Sequence, residues 1–369
     1  MDRDGEQEFI HGETLTKAPS DPLSSSSSSS SSNALLDLSF DADELLDLAA
    51  RGQWRSLADN LSRSRSVPPH VHLSHLAFHA LSLHKLRRFP DSLRVLQSLI
   101  AGVDAGDGDP FDSQQFRYES YPDVYPGRSG SMLPFAVRYL HADLPQRLGD
   151  RSQSLDRLYS LLDFVRQRIA ASGGDHWRRR EAFIVSSLCC NHFSHREFDV
   201  ALALLRELLE RDPSDPVLLS KLGHVQLQIG DLDGARATFV RVEKLVKGHG
   251  VELENLAGRN RALEHLVNKD YTSAVREYDE CIERDPADVV ALNNKALCLL
   301  YSRDLSDSIK VLEGALERVP TAAVKETLVV NLCSMYELAY VNHGEVKKSL
   351  NNWIARVAPD DFDPSCTRI

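Results

Sequence analysis

Four histidines are the first residues whose type and spacing suggest chemistry. His72, His75, His79 and His84 fall on one predicted helix, and His75 and His79 have the i, i+4 spacing of two metal ligands on one helix face. No cysteine or carboxylate lies nearby in sequence to complete a zinc site, so a partly exposed helix face is the favoured interpretation. A metal-dependent enzyme that uses His75 and His79 is the alternative.

Motifs for phosphate binding and hydrolysis are absent from the sequence. It has no G-x-x-x-x-G-K-[ST] or G-x-G-x-x-G loop, no G-x-S-x-G elbow, no H-E-x-x-H and no C-x-x-C. The glycine-rich stretch 126–131 lacks a lysine and follows no predicted strand, which favours a turn. The six cysteines lie mostly in apolar helical stretches, which predicts buried thiols in a reducing compartment. We therefore predict a protein that is not an enzyme and that holds no cofactor or metal.

The segment YESYPDVYPGRSGSMLPF, residues 118–135, has an unusual composition between two helical regions. Its prolines preset extended or turn geometry, and tyrosine and arginine are the residue types that concentrate at interface hot spots. The segment is predicted to be either a partner-binding loop or an ordered connector that packs on the flanking helices. The candidate contact residues are Tyr118, Tyr121, Pro122, Tyr125, Pro126, Gly127, Arg128, Met132 and Phe135.

Composition restricts the kinds of partner. The chain has 369 residues, 26% of them charged, and a formal net charge of −11. That balance argues against broad binding of nucleic acid or of an anionic membrane, which needs a basic face. The sequence has no run of 18 apolar residues, and its start, MDRDGEQEF, lacks the basic and apolar blocks of a signal peptide. We expect a cytoplasmic protein that does not insert into membranes.

The elements that must position these residues are helices that recur at a fixed spacing. Three predicted helices end in similar sequences, LLRELLERDP, EYDECIERDP and LEGALERVP. Pro286 and Pro320 are 34 residues apart, and so are Ala201 and Ala235. A period of 34 is that of the tetratricopeptide repeat, a helix–turn–helix unit. Four units are predicted, at 182–215, 216–249, 255–288 and 289–322, with five residues inserted before the third.

Small residues recur where the two helices of each predicted unit cross, and prolines close three of the units. The predicted packing residues are Ala201, Gly223, Ala235, Ala262, Ala274, Ala296, Pro213, Pro286 and Pro320. The predicted fold is all-α, a tetratricopeptide-repeat α-solenoid of antiparallel helix pairs. Around the repeats at 182–322 we predict a disordered Ser-rich N-terminus at 1–33, short amphipathic helices and a linker at 34–66, divergent helical pairs at 67–174, and capping helices with a tail at 323–369.

In repeats of this type the first helices line a concave groove, and most groove positions here are apolar. The candidate groove residues are Phe183, Phe193, Leu227, Arg259, Leu263, Leu266, Asn293 and Leu297. An apolar groove is rarely left in water, so we expect a partner helix or another segment of the chain to fill it. Leucines among its polar residues argue against a clamp for an acidic C-terminal carboxylate.

Four stretches resemble a known family. They are YESYPDVYPGRSGSMLPFAVRYLHADLPQRLGD with the following SLDRLYSLL, LLSKLGHVQLQIGDLDGARATFVRVEKL, ALNNKALCLLYSRDLSDSIKVLEGALE and VVNLCSMYEL. Over about residues 35–369 the chain resembles the family of trafficking protein particle (TRAPP) complex subunit 12, in a short, plant-like form without the long N-terminal extension of animal members.

The resemblance implies a non-catalytic scaffold subunit of a vesicle-tethering complex. Such a subunit would be peripheral at ER–Golgi and trans-Golgi membranes. Its implied partners are other TRAPP subunits and, indirectly, a Rab GTPase that the assembled complex activates by nucleotide exchange. The alternative is a generic tetratricopeptide adaptor or co-chaperone that binds a peptide in its groove.

Overall fold

The computed structural model describes residues 43–62, 67–101 and 109–368. The predicted disordered segment at 1–33, the start of the region at 34–66 and residues 63–66 of its linker lie outside the described residues. The described chain divides into two compact units. One contains the residues up to Leu188 together with Pro359–Asp361, and the other contains Cys189–Ala358 and the residues from Phe362 onward.

The first unit is built from helix pairs and one long irregular connection. Its helices are α1 (Asp43–Ala50), α2 (Trp54–Leu61), α3 (Pro69–Lys85), α4 (Phe89–Ile100), α5 (Phe135–Arg147), α6 (Arg151–Ser172) and α7 (Asp175–Ser194), the last of which has its final residues in the second unit. Between α4 and α5, three short 3-10 turns lie at Pro110–Asp112, Gln114–Phe116 and Tyr118–Ser120. The candidate partner-binding segment begins in the third of these turns.

The second unit contains the repeats and the helices that follow them. Its helices are α8 (Phe198–Arg211), α9 (Pro216–Gln228), α10 (Leu232–Val246), α11 (Val251–Val267), α12 (Tyr271–Arg284), α13 (Val289–Tyr301), α14 (Leu305–Arg318), α15 (Pro320–Ala323), α16 (Glu326–Ala339) and α17 (His343–Val357), followed by a 3-10 turn at Pro364–Thr367. The described residues contain helices and no strand, so the predicted fold class is confirmed.

Within each pair the two helices cross at small side chains. Ala201, Ala235 and Ala274 are completely or almost completely buried at these points. Where the second helix carries a serine instead, its hydroxyl donates to a backbone carbonyl of the first helix. These bonds run from Ser92 Oγ to the Ala80 oxygen (2.8 Å), from Ser154 Oγ to Ala142 (2.7 Å) and from Ser308 Oγ to Ala296 (2.7 Å). A larger residue at any of these positions would force the helices apart.

The insertion before the third repeat lengthens one helix. The first helix of that repeat, α11, has 17 residues, whereas α9 and α13 have 13 each. The linker into α11 turns through Gly248 and Gly250, whose φ angles of +79° and +101° are costly for other residues. An added turn of helix therefore absorbs most of the inserted residues without changing the pairing of α11 with α12.

The turn inside six helix pairs has one recurring backbone feature, a residue in the left-handed region. These residues, with their φ angles, are Arg87 (58°), Gly149 (96°), Arg196 (60°), Gly230 (83°), Lys269 (62°) and Arg303 (68°). In four turns the next residue is an aspartate whose carboxylate accepts from a backbone N–H of the following helix. These N-caps are Asp150, Asp231, Asp270 and Asp304. The turn thus combines a left-handed residue with an N-cap.

Replacing Lys269 or Arg303 with glycine is expected to raise the free energy of unfolding by up to about 1 kcal/mol. The left-handed conformation costs an L-residue about 1–2 kcal/mol, and the greater chain entropy of unfolded glycine cancels only part of that gain. Urea unfolding followed by circular dichroism measures the change. The matched control, Gly230→Ala, should be destabilising, and a loss of stability in both glycine variants would contradict the prediction.

Candidate functional site

The connection that leads into the 118–135 segment is held by a buried arginine. Arg138, in the second turn of α5, forms ion pairs with Asp109 and Asp112 and donates to the Phe111 carbonyl oxygen at 2.9 Å. Its guanidinium also lies 4.5 Å from the centre of the Phe164 ring on α6. Arg138 therefore fastens the start of the connection to two helices.

The base of the segment is closed by backbone hydrogen bonds. The Tyr118 N–H donates to the Gly130 carbonyl at 3.0 Å, and the Met132 N–H donates to the Phe116 carbonyl at 2.7 Å. The Glu119 carboxylate accepts from Arg117 and from the Gly130 N–H, each at 3.0 Å, which lowers the pKa of Glu119 to about 2. The carboxylate is thus ionised at neutral pH and stabilises the base of the segment.

Three of the predicted contact residues are buried instead of exposed. Tyr125, Met132 and Phe135 lie in the interior. The Tyr125 hydroxyl and His70 Nδ1 are 2.6 Å apart, and the Tyr125 ring meets the Tyr118 ring edge to face with centroids 5.1 Å apart. The expectation that these three residues contact a partner is therefore corrected: their apolar area already packs against the chain.

Five of the six remaining candidates lie in a mostly exposed tip around the buried Tyr125, and the sixth, Tyr118, precedes it. We define the tip as residues 121–129, in which Pro122, Pro126, Gly127 and Arg128 are exposed and Tyr121 is half-buried. The Arg128 guanidinium lies 5.9 Å from the centre of the half-buried Tyr118 ring. Val124, which is not among the predicted contact residues, is 52% exposed at the tip. The segment is therefore both an ordered connector and a carrier of exposed apolar and basic side chains.

The candidate groove residues do not line an open groove. Phe183, Phe193, Leu227, Leu263, Leu266, Asn293 and Leu297 are buried, and Arg259 is half-buried. In the second unit, Leu227 and Leu263 share one apolar cluster with Phe239. Neighbouring helices of this chain thus account for the burial. The prediction that these residues contact a partner is therefore corrected. They are core residues, because side chains of successive helix pairs pack against one another there.

Most polar groups on the same helices have hydrogen-bond partners within the chain, but the buried Asn260 Nδ2 does not. Arg259 pairs with Asp288, and Asn293 bonds to Asn294 at 3.2 Å and accepts from Asn331 at 2.9 Å. Asn260 accepts from Ser220 at 2.9 Å and lies 3.1 Å from His224 Nε2. Arg259 and Asn293, which could hold a peptide carboxylate, are therefore already engaged, and the unbonded Asn260 Nδ2 is buried.

Burial also governs the titratable groups near the repeats. It lowers the pKa of His224 to about 4 and raises those of Cys189 and Cys298 to about 12, so the imidazole and both thiols are neutral at physiological pH. In the three described ranges no group of three or more His, Cys, Asp or Glu side chains is arranged to hold a metal ion. Nor does any helix in those ranges have the length and apolar character needed to cross a bilayer.

Comparison with known proteins agrees with this architecture. Sequence models described as tetratricopeptide repeat match residues 192–248 and 259–323. Over 284 residues, 70% of the chain, the sequence is 33% identical to trafficking protein particle complex subunit 12 from Homo sapiens and from Mus musculus. The predicted resemblance is thereby confirmed. The chain spans only 38% and 35% of the length of these two relatives.

Solved structures show a weaker likeness. The APC/C hetero-tetramer Cut9–Hcn1 is 15% identical, with a TM-score of 0.35 over 80% of this chain and 63% of that one. Yeast Tom70 is 11% identical, with a TM-score of 0.29 over 89% of this chain and 87% of that one. TM-scores this low support no argument about the chain.

Proposed function

Because the chain is a tetratricopeptide-repeat protein that is similar to TRAPP complex subunit 12, we propose that it is a non-catalytic scaffold subunit of a TRAPP vesicle-tethering complex. It acts by binding other subunits, in the cytoplasm and at ER–Golgi and trans-Golgi membranes. Nucleotide exchange on a Rab GTPase is a property of the assembled complex. The observation that carries the proposal is the extent of the similarity: 284 aligned residues are more than twice what the two repeat models match together.

The tip at residues 121–129 is our candidate contact for another subunit. Its base is fixed by Glu119 and its backbone closure, so little chain entropy is lost when a partner binds it. Val124 supplies exposed apolar area and Arg128 a charge that can pair with a carboxylate. Pre-ordering of such residue types is characteristic of interface anchors.

Affinity purification of the tagged full chain from cells, followed by mass spectrometry, tests the proposal. Wild-type protein should recover other TRAPP subunits. The double variant Val124→Asp, Arg128→Glu should lower that recovery by about tenfold or more. It replaces an exposed apolar side chain with a charged one and reverses the charge of an exposed arginine. Circular dichroism and melting should stay unchanged, since both side chains are exposed.

A matched control distinguishes an effect of the tip from a general effect of adding negative charge to the surface. Val240→Asp with Arg241→Glu makes the same two changes at exposed neighbours on α10, and it should leave recovery intact. Full recovery by the tip variant would show that the contact lies elsewhere. If the wild type recovers no TRAPP subunit, the scaffold assignment fails.

A further inference from the structure

A basic patch lies where α6 meets α7 in the first unit. Between residues 163 and 181 the chain carries five arginines, Arg166, Arg168, Arg178, Arg179 and Arg180, and three acidic residues, Asp163, Asp175 and Glu181, the last of which pairs with Arg166. This local excess of positive charge stands out in a protein whose formal net charge is −11. Arg168 and Arg179 are exposed, and 69% of the Arg178 side chain is exposed.

Aromatic rings join the two helices close to these arginines. The Phe164 ring on α6 and the Trp177 ring on α7 meet with centroids 6.1 Å apart. The Arg168 guanidinium lies 5.0 Å from the centre of Phe164, and that of Arg180 lies 4.5 Å from the centre of Trp177. Because these rings join α6 to α7, the exposed Arg168, Arg178 and Arg179 lie at the same end of the helix pair.

The position of the arginines works against the stability of the helix. Arg178 is the fourth residue of α7, at the end of the first turn, where the helix dipole favours acidic side chains, and Arg179 and Arg180 follow it. Asp175 offsets only part of this, at 3.6 Å from Arg178. Packing against Phe135 and Trp177 accounts for the buried Arg180, but not for the two exposed arginines, Arg178 and Arg179, at this end of the helix.

We propose that this patch docks a short acidic segment of a partner protein. The planar guanidinium groups of Arg178 and Arg179 can each bind a carboxylate with two parallel hydrogen bonds, and the positive end of α7 adds to the attraction. The proposal concerns a surface separate in sequence from the tip, and it does not depend on membership of a TRAPP complex.

A short peptide fits the charge distribution better than a membrane or a nucleic acid. Charges attract appreciably only within about one Debye length, about 8 Å at physiological salt, so a short acidic segment on the patch interacts mainly with the arginines. A bilayer or a nucleic acid is larger and would also be repelled by the acidic remainder of the chain. The rings of Phe164 and Trp177 are engaged by guanidinium groups, so they are poorly placed to enter lipid. Charge complementarity thus favours the acidic protein segment.

Fluorescence anisotropy of a fluorescein-labelled decaglutamate peptide, titrated with the purified full chain at low salt, tests the proposal. Arg178→Glu with Arg179→Glu should weaken binding at least about tenfold. The control variant Arg206→Glu with Arg211→Glu, on exposed positions of α8, changes the net charge equally and should bind like the wild type. Arg178→Lys with Arg179→Lys should bind with intermediate affinity, because lysine keeps the charge but lacks the planar fork.

Three results would overturn the proposal. They are no peptide binding at low salt, equal weakening in both glutamate variants, and a patch-dependent capture of vesicles rich in phosphatidylserine without peptide binding. Misfolding is excluded by thermal melting, since glutamates near the start of α7 should leave its stability unchanged or improve it. A failed recovery of TRAPP subunits by the wild type would leave this test unaffected.

Discussion

Gly223→Ala is expected to lower the free energy of unfolding by about 1–3 kcal/mol, although it adds a single methyl group. A Cβ atom at Gly223 would lie 2.3 Å from Cε1 of Phe239 and within 2.9 Å of two further ring atoms. Phe239 is buried in a cluster with Leu227, Ala235 and Leu263, so the ring has no open space to enter. The overlap must push α9 away from α10, and this cost exceeds the gain in helix propensity of about 1 kcal/mol.

The same substitution at a second helical glycine gives the control. At Gly314 on α14, a new Cβ would have its nearest neighbour at 3.6 Å, in the Arg318 guanidinium, which is ordinary van der Waals contact. Gly314→Ala should therefore stabilise the protein by about 0.5–1 kcal/mol. Urea unfolding would show opposite shifts for the two variants.

Repacking provides a further check on the first prediction. Phe239→Leu removes the ring that meets the new methyl group, so it should recover part of the stability lost in Gly223→Ala. Two results would show that steric overlap does not determine stability at this crossing. One is a neutral Gly223→Ala, and the other is a double variant, Gly223→Ala with Phe239→Leu, whose loss of stability equals the sum of the two single losses.

The repeat architecture was predictable because its packing recurs. Each unit must bring two helices close together, so a small residue returns at a fixed interval and Ala201 and Ala235 are 34 residues apart. The pair Gly223 and Phe239 shows the same logic within one unit, since the absent side chain makes room for the ring. A constraint that is repeated along the chain leaves a period that can be read from one sequence.

The long-range polar contacts of the candidate site were not predictable in this way. Arg138 pairs with Asp109 and Asp112, which lie 29 and 26 residues earlier in the chain. These contacts are not repeated along the described chain, so they leave no period in the sequence. The available signal was an arginine on a helix whose other faces are largely apolar. The burial of Tyr125 could not be predicted either. A tyrosine in a Pro-rich segment is equally compatible with an exposed contact residue and with a buried residue whose hydroxyl meets His70.

Polar groups buried between successive repeats show a further limit of sequence reasoning. Asp288 is the N-cap of α13, where one carboxylate oxygen accepts from the Ala291 N–H at 3.0 Å. Its other oxygen accepts from Asn255 Nδ2 at 3.0 Å and from Arg259, both on α11. Asn255 also donates to the Cys281 carbonyl of α12 at 2.9 Å. One carboxylate thus links the third repeat to the fourth.

Asp288→Ala should accordingly lower the free energy of unfolding by about 3 kcal/mol. Loss of the N-cap accounts for about 1 kcal/mol, and the rest comes from leaving Arg259 without its partner in a largely buried site. The Arg259 contribution falls toward the low end of its usual range, because 23% of that side chain is exposed and water can solvate part of the charge. Asp288→Asn keeps an oxygen for the cap and should cost about 1 kcal/mol.

A double-mutant cycle with Arg259→Met separates the ion pair from the cap. If the stranded charge dominates, Asp288→Ala should be less damaging when Arg259 is already methionine, with a coupling of about 1–3 kcal/mol by urea unfolding. Since repeats are stabilised largely by contacts with their neighbours, the single variant should also broaden the unfolding transition as the third and fourth repeats uncouple. Equal losses in Asp288→Ala and Asp288→Asn, with an unchanged slope, would instead mean that water solvates Arg259. Other contacts, such as that of Asn294 with Tyr278, would then be enough to couple the two repeats.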